Sequence, residues 1–387
     1  MDYNIISCDD HLDMQFLPPD LWTSRLPDQF KDRAPQVEER DGKAVWMCEG
    51  KPIASFYGEI NGNLYPLKIS SLKTALDRGG HIANTERRPA ISSLRLHDMD
   101  RDGVYAQVIY GPITSLDSED VEFRQALYVA YNDWLRDFCS AAPDRLIGVR
   151  MLPPAPEGAT AEILRLAKQG GTKQANLQVG VVKTPLRDPS WEPFWQAVEE
   201  TGIILSFHVV LIPGKPAPGP EAAAFEFMQG PKSQIEQQIT PFLEMIGGGI
   251  LERHPKIRLI MAESGAGWMP WLVQDLDHRY GQLTECAEHW EAHGGFPMKM
   301  KPSEVFKRQI YCSFQDDEAA VTLMRFFGDG NLLWASDYPH PDSTWPNSHA
   351  AIERQMSTIS PESRRKLLHD NAAALYGLQD EARIKAA

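Results

Sequence analysis

Four short apolar runs end in side chains that bind metals. Residues 5–8 lead to Asp9 and His11, 203–207 to His208, 257–262 to Glu263, and 332–336 to Asp337. Asp9 and His11 lie two residues apart, so alternation along an extended strand projects both from one side. Asp10 then points the other way, and Cys8 faces away from the ligands as a packed structural thiol. Two imidazoles and two carboxylates suit one divalent cation of borderline hardness; zinc heads the expectation, with manganese and iron(II) also compatible. An open coordination position would hold water or a substrate oxygen, and a bound cation lowers the pKa of water from about 15.7 to about 7. Asp337 would bind metal and orient that water, Glu263 would shuttle a proton, and His208 completes the catalytic set.

Such groups need a rigid frame. Four further apolar runs, at 107–110, 146–150, 175–179 and 310–314, bring the strand-like segments to eight. Apolar residues at three and four spacing mark helices at 94–103, 121–141, 158–169, 190–201, 232–252, 267–285, 317–327 and 347–357. Strict alternation of strand and helix predicts an α/β fold with a parallel sheet, and eight repeats predict a closed (β/α)8 TIM barrel. An open doubly wound sheet is the alternative. In the barrel, catalytic groups sit at the C-terminal ends of strands, where all the candidate ligands fall. The 387 residues read as one domain.

Two stretches break the rhythm. Residues 15–93 carry Trp22, Phe30, Trp46, Phe56 and Tyr57, too many aromatics for a solvated loop. They predict an arm or subdomain inserted after strand one, packed on the barrel or on a second subunit, so a homo-oligomer is expected. The proline-rich 212–220 after His208 predicts a stiff rim.

The chain has 53 acids against 39 bases, a net charge of −14, which argues against nucleic acid or an anionic membrane as partner. A small molecule is the expected substrate. No apolar stretch approaches the roughly 20 residues that span a bilayer, and the N-terminus lacks signal-peptide character, so a cytoplasmic location is expected. Five scattered cysteines form no disulfide framework and no C-x-x-C motif.

These residues resemble the amidohydrolase superfamily, in the branch that includes aminocarboxymuconate-semialdehyde decarboxylase and the resorcylate decarboxylases. The likeness runs from Ile5 to the C-terminal Asn371-Ala372-Ala373-Ala374-Leu375-Tyr376-Gly377. It implies a (β/α)8 barrel with metal ligands at Asp9, His11, His208 and Asp337. Two departures stand out. Many decarboxylases of the branch have a histidine where this chain has Glu263. Two-metal members place a bridging lysine or glutamate where this chain has Gln178, so a single metal is expected.

Arg150, at the end of strand three, is a candidate for a substrate carboxylate, Trp268 for the pocket wall, and His340 for a group beside the ligands; His254 reads as a helix-end or surface residue. The leading function is hydrolysis of an amide, ester, thioester or vinylogous carbon-carbon bond by metal-bound hydroxide. Non-oxidative decarboxylation of an aromatic or enoic acid is the alternative, and a non-catalytic binding barrel is third.

Overall fold

Strand β1 (Ile5–His11) is buried along its whole length, as expected of a parallel strand covered on both faces. The computed structural model describes residues 4–56, 58–65, 87–113, 116, 118–210, 219–295, 298–340 and 342–378. Tyr57 and positions 212–218 of the expected rim lie outside them. After β1 the chain leaves for the insert, an antiparallel sheet of β2 (Gln36–Arg40), β3 (Lys43–Cys48) and β4 (Lys51–Ser55) and a hairpin of β5 (Gly58–Ile60) and β6 (Asn63–Tyr65). Each hairpin turn is a pair whose second residue is glycine, and Asp41-Gly42, Glu49-Gly50 and Asn61-Gly62 all take positive φ, the backbone that tight hairpins require.

The chain returns through α1 (Ser92–Asp102) to a regular alternation: β7 (Val104–Tyr110), α2 (Val121–Cys139), β8 (Leu146–Gly148) with β9 (Arg150–Leu152), α3 (Pro156–Gln169), β10 (Gln174–Leu177), α4 (Glu192–Thr201) and β11 (Ile204–Phe207). Then follow α5 (Gly230–Gly247), β12 (Leu259–Met261), α6 (Met269–Thr284), β13 (Ile310–Phe314), α7 (Glu318–Leu323), β14 (Leu332–Trp334) and α8 (Ser348–Met356). All the pairings between neighbouring barrel strands are parallel. The Val149 amide donates to the Ile109 carbonyl at 2.8 Å, so β8 and β9 are one kinked strand. Past β14, the Asp337 amide donates to the Asp9 carbonyl at 2.9 Å and the His11 amide to the Tyr338 carbonyl at 2.7 Å. Those two bonds close the barrel.

Inside it, Ile6, Cys8, Ala106, Val108, Ile147, Val149, Ile204, Ile260, Ala262 and Leu333 pack together above Leu375 and Tyr376. Cys8 is a buried structural thiol, but strict alternation misplaces it: the β1 register slips between Ser7 and Asp10, so Cys8 joins the interior instead of facing away from it.

The insert packs on its own barrel. Trp22, Trp46 and Phe56 are at most 1% exposed, the Trp22 indole N–H donates to the Leu127 carbonyl at 3.1 Å, and Phe30 lies against Phe123 with centroids 5.4 Å apart. Asp120 joins the two parts. Its carboxylate caps α2 through the Glu122 and Phe123 amides, both at 3.1 Å, and pairs with Arg33 of the insert at 2.7 Å. Asp120→Ala should therefore lower the urea midpoint, mainly through the lost cap. An unchanged urea midpoint would mean that the cap is redundant.

Candidate metal centre

The four expected ligands and Glu263 meet at the C-terminal mouth of the barrel. His11 Nε2 lies 3.6 Å from Asp9 Oδ1, 3.4 Å from Asp337 Oδ1 and 3.8 Å from Glu263 Oε2. His208 Nε2 lies 3.4 Å from Asp9 Oδ1 and 2.9 Å from Glu263 Oε2. Each of these five atoms is buried, and among the described residues none completes a hydrogen bond with another of the set. Asp337 Oδ1 has the His340 ring beside it. Five such atoms facing one hollow would be expensive to bury, and one cation would satisfy them together. The donor chemistry therefore fits a metal.

Local structure aims each donor. Asp9 Oδ2 accepts from Ser313 Oγ at 2.8 Å and the Glu263 amide at 2.9 Å, leaving Oδ1 for the hollow. His208 Nδ1 lies 2.7 Å from the Val209 carbonyl, so Nδ1 carries the proton and Nε2 presents its lone pair. Glu263 and Asp337 have φ of 54° and 61°, left-handed backbone that costs a non-glycine residue roughly 1–2 kcal/mol and turns both carboxylates in off their strand ends. The turn after Glu263 is fastened by Asp317, which accepts from the Ala266 and Gly267 amides, both at 2.8 Å. A Cβ on Gly267 would meet that carboxylate and the Ala319 methyl at 2.8 Å, so only glycine fits.

Charge reinforces the arrangement. Burial opposes ionisation throughout, but with no cation between them Glu263 and Asp9 outweigh it at His208 and hold that imidazole well above its ordinary range, the positive charge on Nε2 standing where a metal would take its lone pair. His208 and His11 in turn hold Asp9 below the usual carboxylate range. Asp337 goes the other way: burial, with the Glu263 charge added, pushes it up against the pull of His340.

His340 is stacked on His11 with centroids 4.0 Å apart. Its Nδ1 lies 2.9 Å from Asp337 Oδ1 and its Nε2 2.9 Å from Asp13 Oδ2. Asp13 was missed from the sequence, although it continues the two-residue spacing of Asp9 and His11. Arg95 of α1 was missed for want of any local signal; it donates to the His11 carbonyl at 2.8 Å and to Gln107 at 2.7 Å. Asp10 turns outward, accepting from Ser336 Oγ at 2.5 Å and the Tyr338 amide at 3.0 Å, and burial raises it to about 7.

Of the expected substrate groups, Arg150 is not at this centre. Arg150 opens β9 on the parity of Leu152, which packs in the layer between strands and helices, so its guanidinium lies against α2 beside Cys139. Trp268 packs edge-on to Phe242 with centroids 6.4 Å apart, and its indole N–H donates to the Ser264 carbonyl at 3.0 Å. It braces the Glu263 turn. His254 stands at a helix end, as expected, capping Ile250–Arg253, and it is buried there between Glu192 at 2.9 Å and Glu199 at 3.2 Å. Gln178 spends its amide on the Pro112 carbonyl at 2.8 Å.

Similar proteins share this frame. Gamma-resorcylate decarboxylase of Rhizobium sp. (strain MTP-10005) is 24% identical over 307 residues, 74% of this chain and 88% of that protein. An amidohydrolase from Mycobacterium avium subsp. paratuberculosis K-10 has the same fold with a TM-score of 0.70 at 20% identity, over 97% of this chain and 100% of that one. A dihydroxybenzoic acid decarboxylase from Polaromonas sp. JS666, with bound manganese and the inhibitor 2-nitroresorcinol, has a TM-score of 0.62 at 17% identity, over 98% and 99% of the two chains. The amidohydrolase family itself matches residues 74–378, and with the metal-binding mouth carried on a (β/α)8 barrel, the chain belongs to that family.

Proposed function

We propose that this enzyme is a metal-dependent, non-oxidative decarboxylase of a hydroxylated aromatic acid, in preference to a hydrolase. The observation that carries the reading is the buried line Asp337–His340–Asp13, in which each contact is 2.9 Å. Decarboxylation needs a proton delivered to carbon and replenished after each turnover, and a carboxyl backed by an imidazole and a second carboxylate is built for that. The resorcylate and dihydroxybenzoate decarboxylases among the similar proteins support the substrate class.

A divalent cation held at the mouth would supply Lewis acidity to the carboxylate and neighbouring hydroxyl oxygens of the substrate. The residues do the rest. Asp337 gives its proton to the ring carbon that bears the carboxylate. The bond from that carbon to the carboxylate then breaks, its electron pair restores the aromatic ring, and carbon dioxide departs. His340 returns a proton to Asp337 Oδ1, with Asp13 holding the imidazole in line. Turnover in D2O should place one deuterium on the carbon that lost the carboxylate, one per carbon dioxide released. Hydroxybenzoates left untouched while esters or lactones are cleaved would restore the hydrolytic reading.

Glu263 is a fifth donor in this scheme, where the sequence alone suggested a proton carrier. Three carboxylate oxygens and two imidazoles make a harder set than zinc prefers and suit manganese(II), the ion bound in the Polaromonas enzyme. Glu263→Gln should lower manganese retention after dialysis. Full metal content with turnover reduced by about 10²–10⁴ would return Glu263 to proton transfer.

A further inference from the structure

Arg150 is only 5% exposed, and its Nε and Nη1 are buried without a hydrogen-bond partner among the described residues. A buried guanidinium with no carboxylate is costly, because nothing repays its desolvation. The thiol beside it supplies no counter-charge: burial raises Cys139 to about 11, so it stays neutral and is a weak acceptor. The two side chains crowd Gly148, where a Cβ would sit 2.8 Å from Arg150 Nη1 and 2.9 Å from Cys139 Sγ. The site is therefore shaped around the guanidinium.

The side chain lines a cavity of about 230 Å³ together with Arg136, Ser140, Lys173 and the Gly170-Gly171 turn, and no carboxylate is among the lining residues. Those segments join helices to the starts of strands, which places the cavity at the N-terminal end of the barrel, opposite the metal centre. Gly170 and Gly171 have φ of 77° and 75° with nothing near their Cβ positions, so this wall is bare of side chains. The other two cations are partly engaged: Arg136 lies 3.2 Å from Asp137, and Lys173 Nζ donates to the Tyr376 carbonyl at 2.5 Å. Among the described residues, Arg150 alone of the three has no partner beyond the neutral Cys139 thiol. The space is large enough for a small hydrated anion.

We propose that this cavity is a binding site for a small oxyanion, a phosphate or a compact carboxylate, with Arg150 as its fork-shaped anchor. The test uses the full-length, metal-loaded protein, titrated with sodium phosphate, with sodium malonate and with sodium chloride at matched ionic strength, while its melting temperature is followed. Phosphate should raise Tm saturably by about 2–4 °C over chloride. A matching rise with malonate assigns the site to oxyanions generally, and a rise with phosphate alone to tetrahedral ones. Arg150→Met should fold with an equal or higher Tm in chloride, since the uncompensated charge is gone, and should lose the rise. Should Arg150→Met fail to fold, Arg150→Lys serves, with phosphate affinity expected to fall about tenfold as the two-pronged contact is lost. No rise over chloride, a rise kept intact by Arg150→Met, which would put the anion at the metal centre, or unchanged affinity in Arg150→Lys overturns the proposal.

Discussion

His11→Ala should strip metal and activity together while leaving the barrel folded. The imidazole is fully buried, and its Nε2 is within 3.8 Å of three other donor atoms, so its removal deletes a ligand from the centre of the set. Losing a group merely behind a ligand costs about 10–100-fold in metal affinity, and loss of the ligand itself should exceed that. The backbone at this position is held independently, by the amide bond to Tyr338 and by Arg95 on the carbonyl, so the variant should fold. Elemental analysis after gel filtration, beside a thermal melt, checks this. A folded variant with full metal content would show that His11 is structural.

Asp337→Asn is the second large effect. Asparagine keeps an oxygen in the hollow and can still meet His340, but it has no proton to give. With metal present by elemental analysis, turnover at saturating substrate should fall by about 10²–10⁴. Normal turnover would move the proton donor to another residue, Glu263 being next in line by position, and would sink the role given to the Asp337–His340–Asp13 line.

Much of this centre is legible in the sequence because each part is local. A short apolar run ending in Asp9, His208, Glu263 or Asp337 is a strand that stops at a polar residue, and a barrel carries all such stops to one mouth. The insert was legible too, since aromatics such as Trp22 and Trp46 must be covered somewhere. The side chains that went astray did so for a geometric reason. Arg150 lies within a strand whose first half pairs β7 and whose second half pairs β10, and its parity sends it to the helix layer.

By itself, then, the sequence determined the alternation of strands and helices, the family and the candidate ligand types, since these depend on residue character and spacing along the chain. Tertiary structure decided what depends on contacts between distant segments. The register slip in β1, the left-handed backbone at Glu263 and Asp337, and the barrel closure that sets Ser336 against Asp10 across 326 positions fix where each side chain points. Those same contacts bring His340 between Asp13 and Asp337 and swing Glu263 in among the candidate ligands. The period of a strand says which residues share a side; only the closed barrel says which atoms converge.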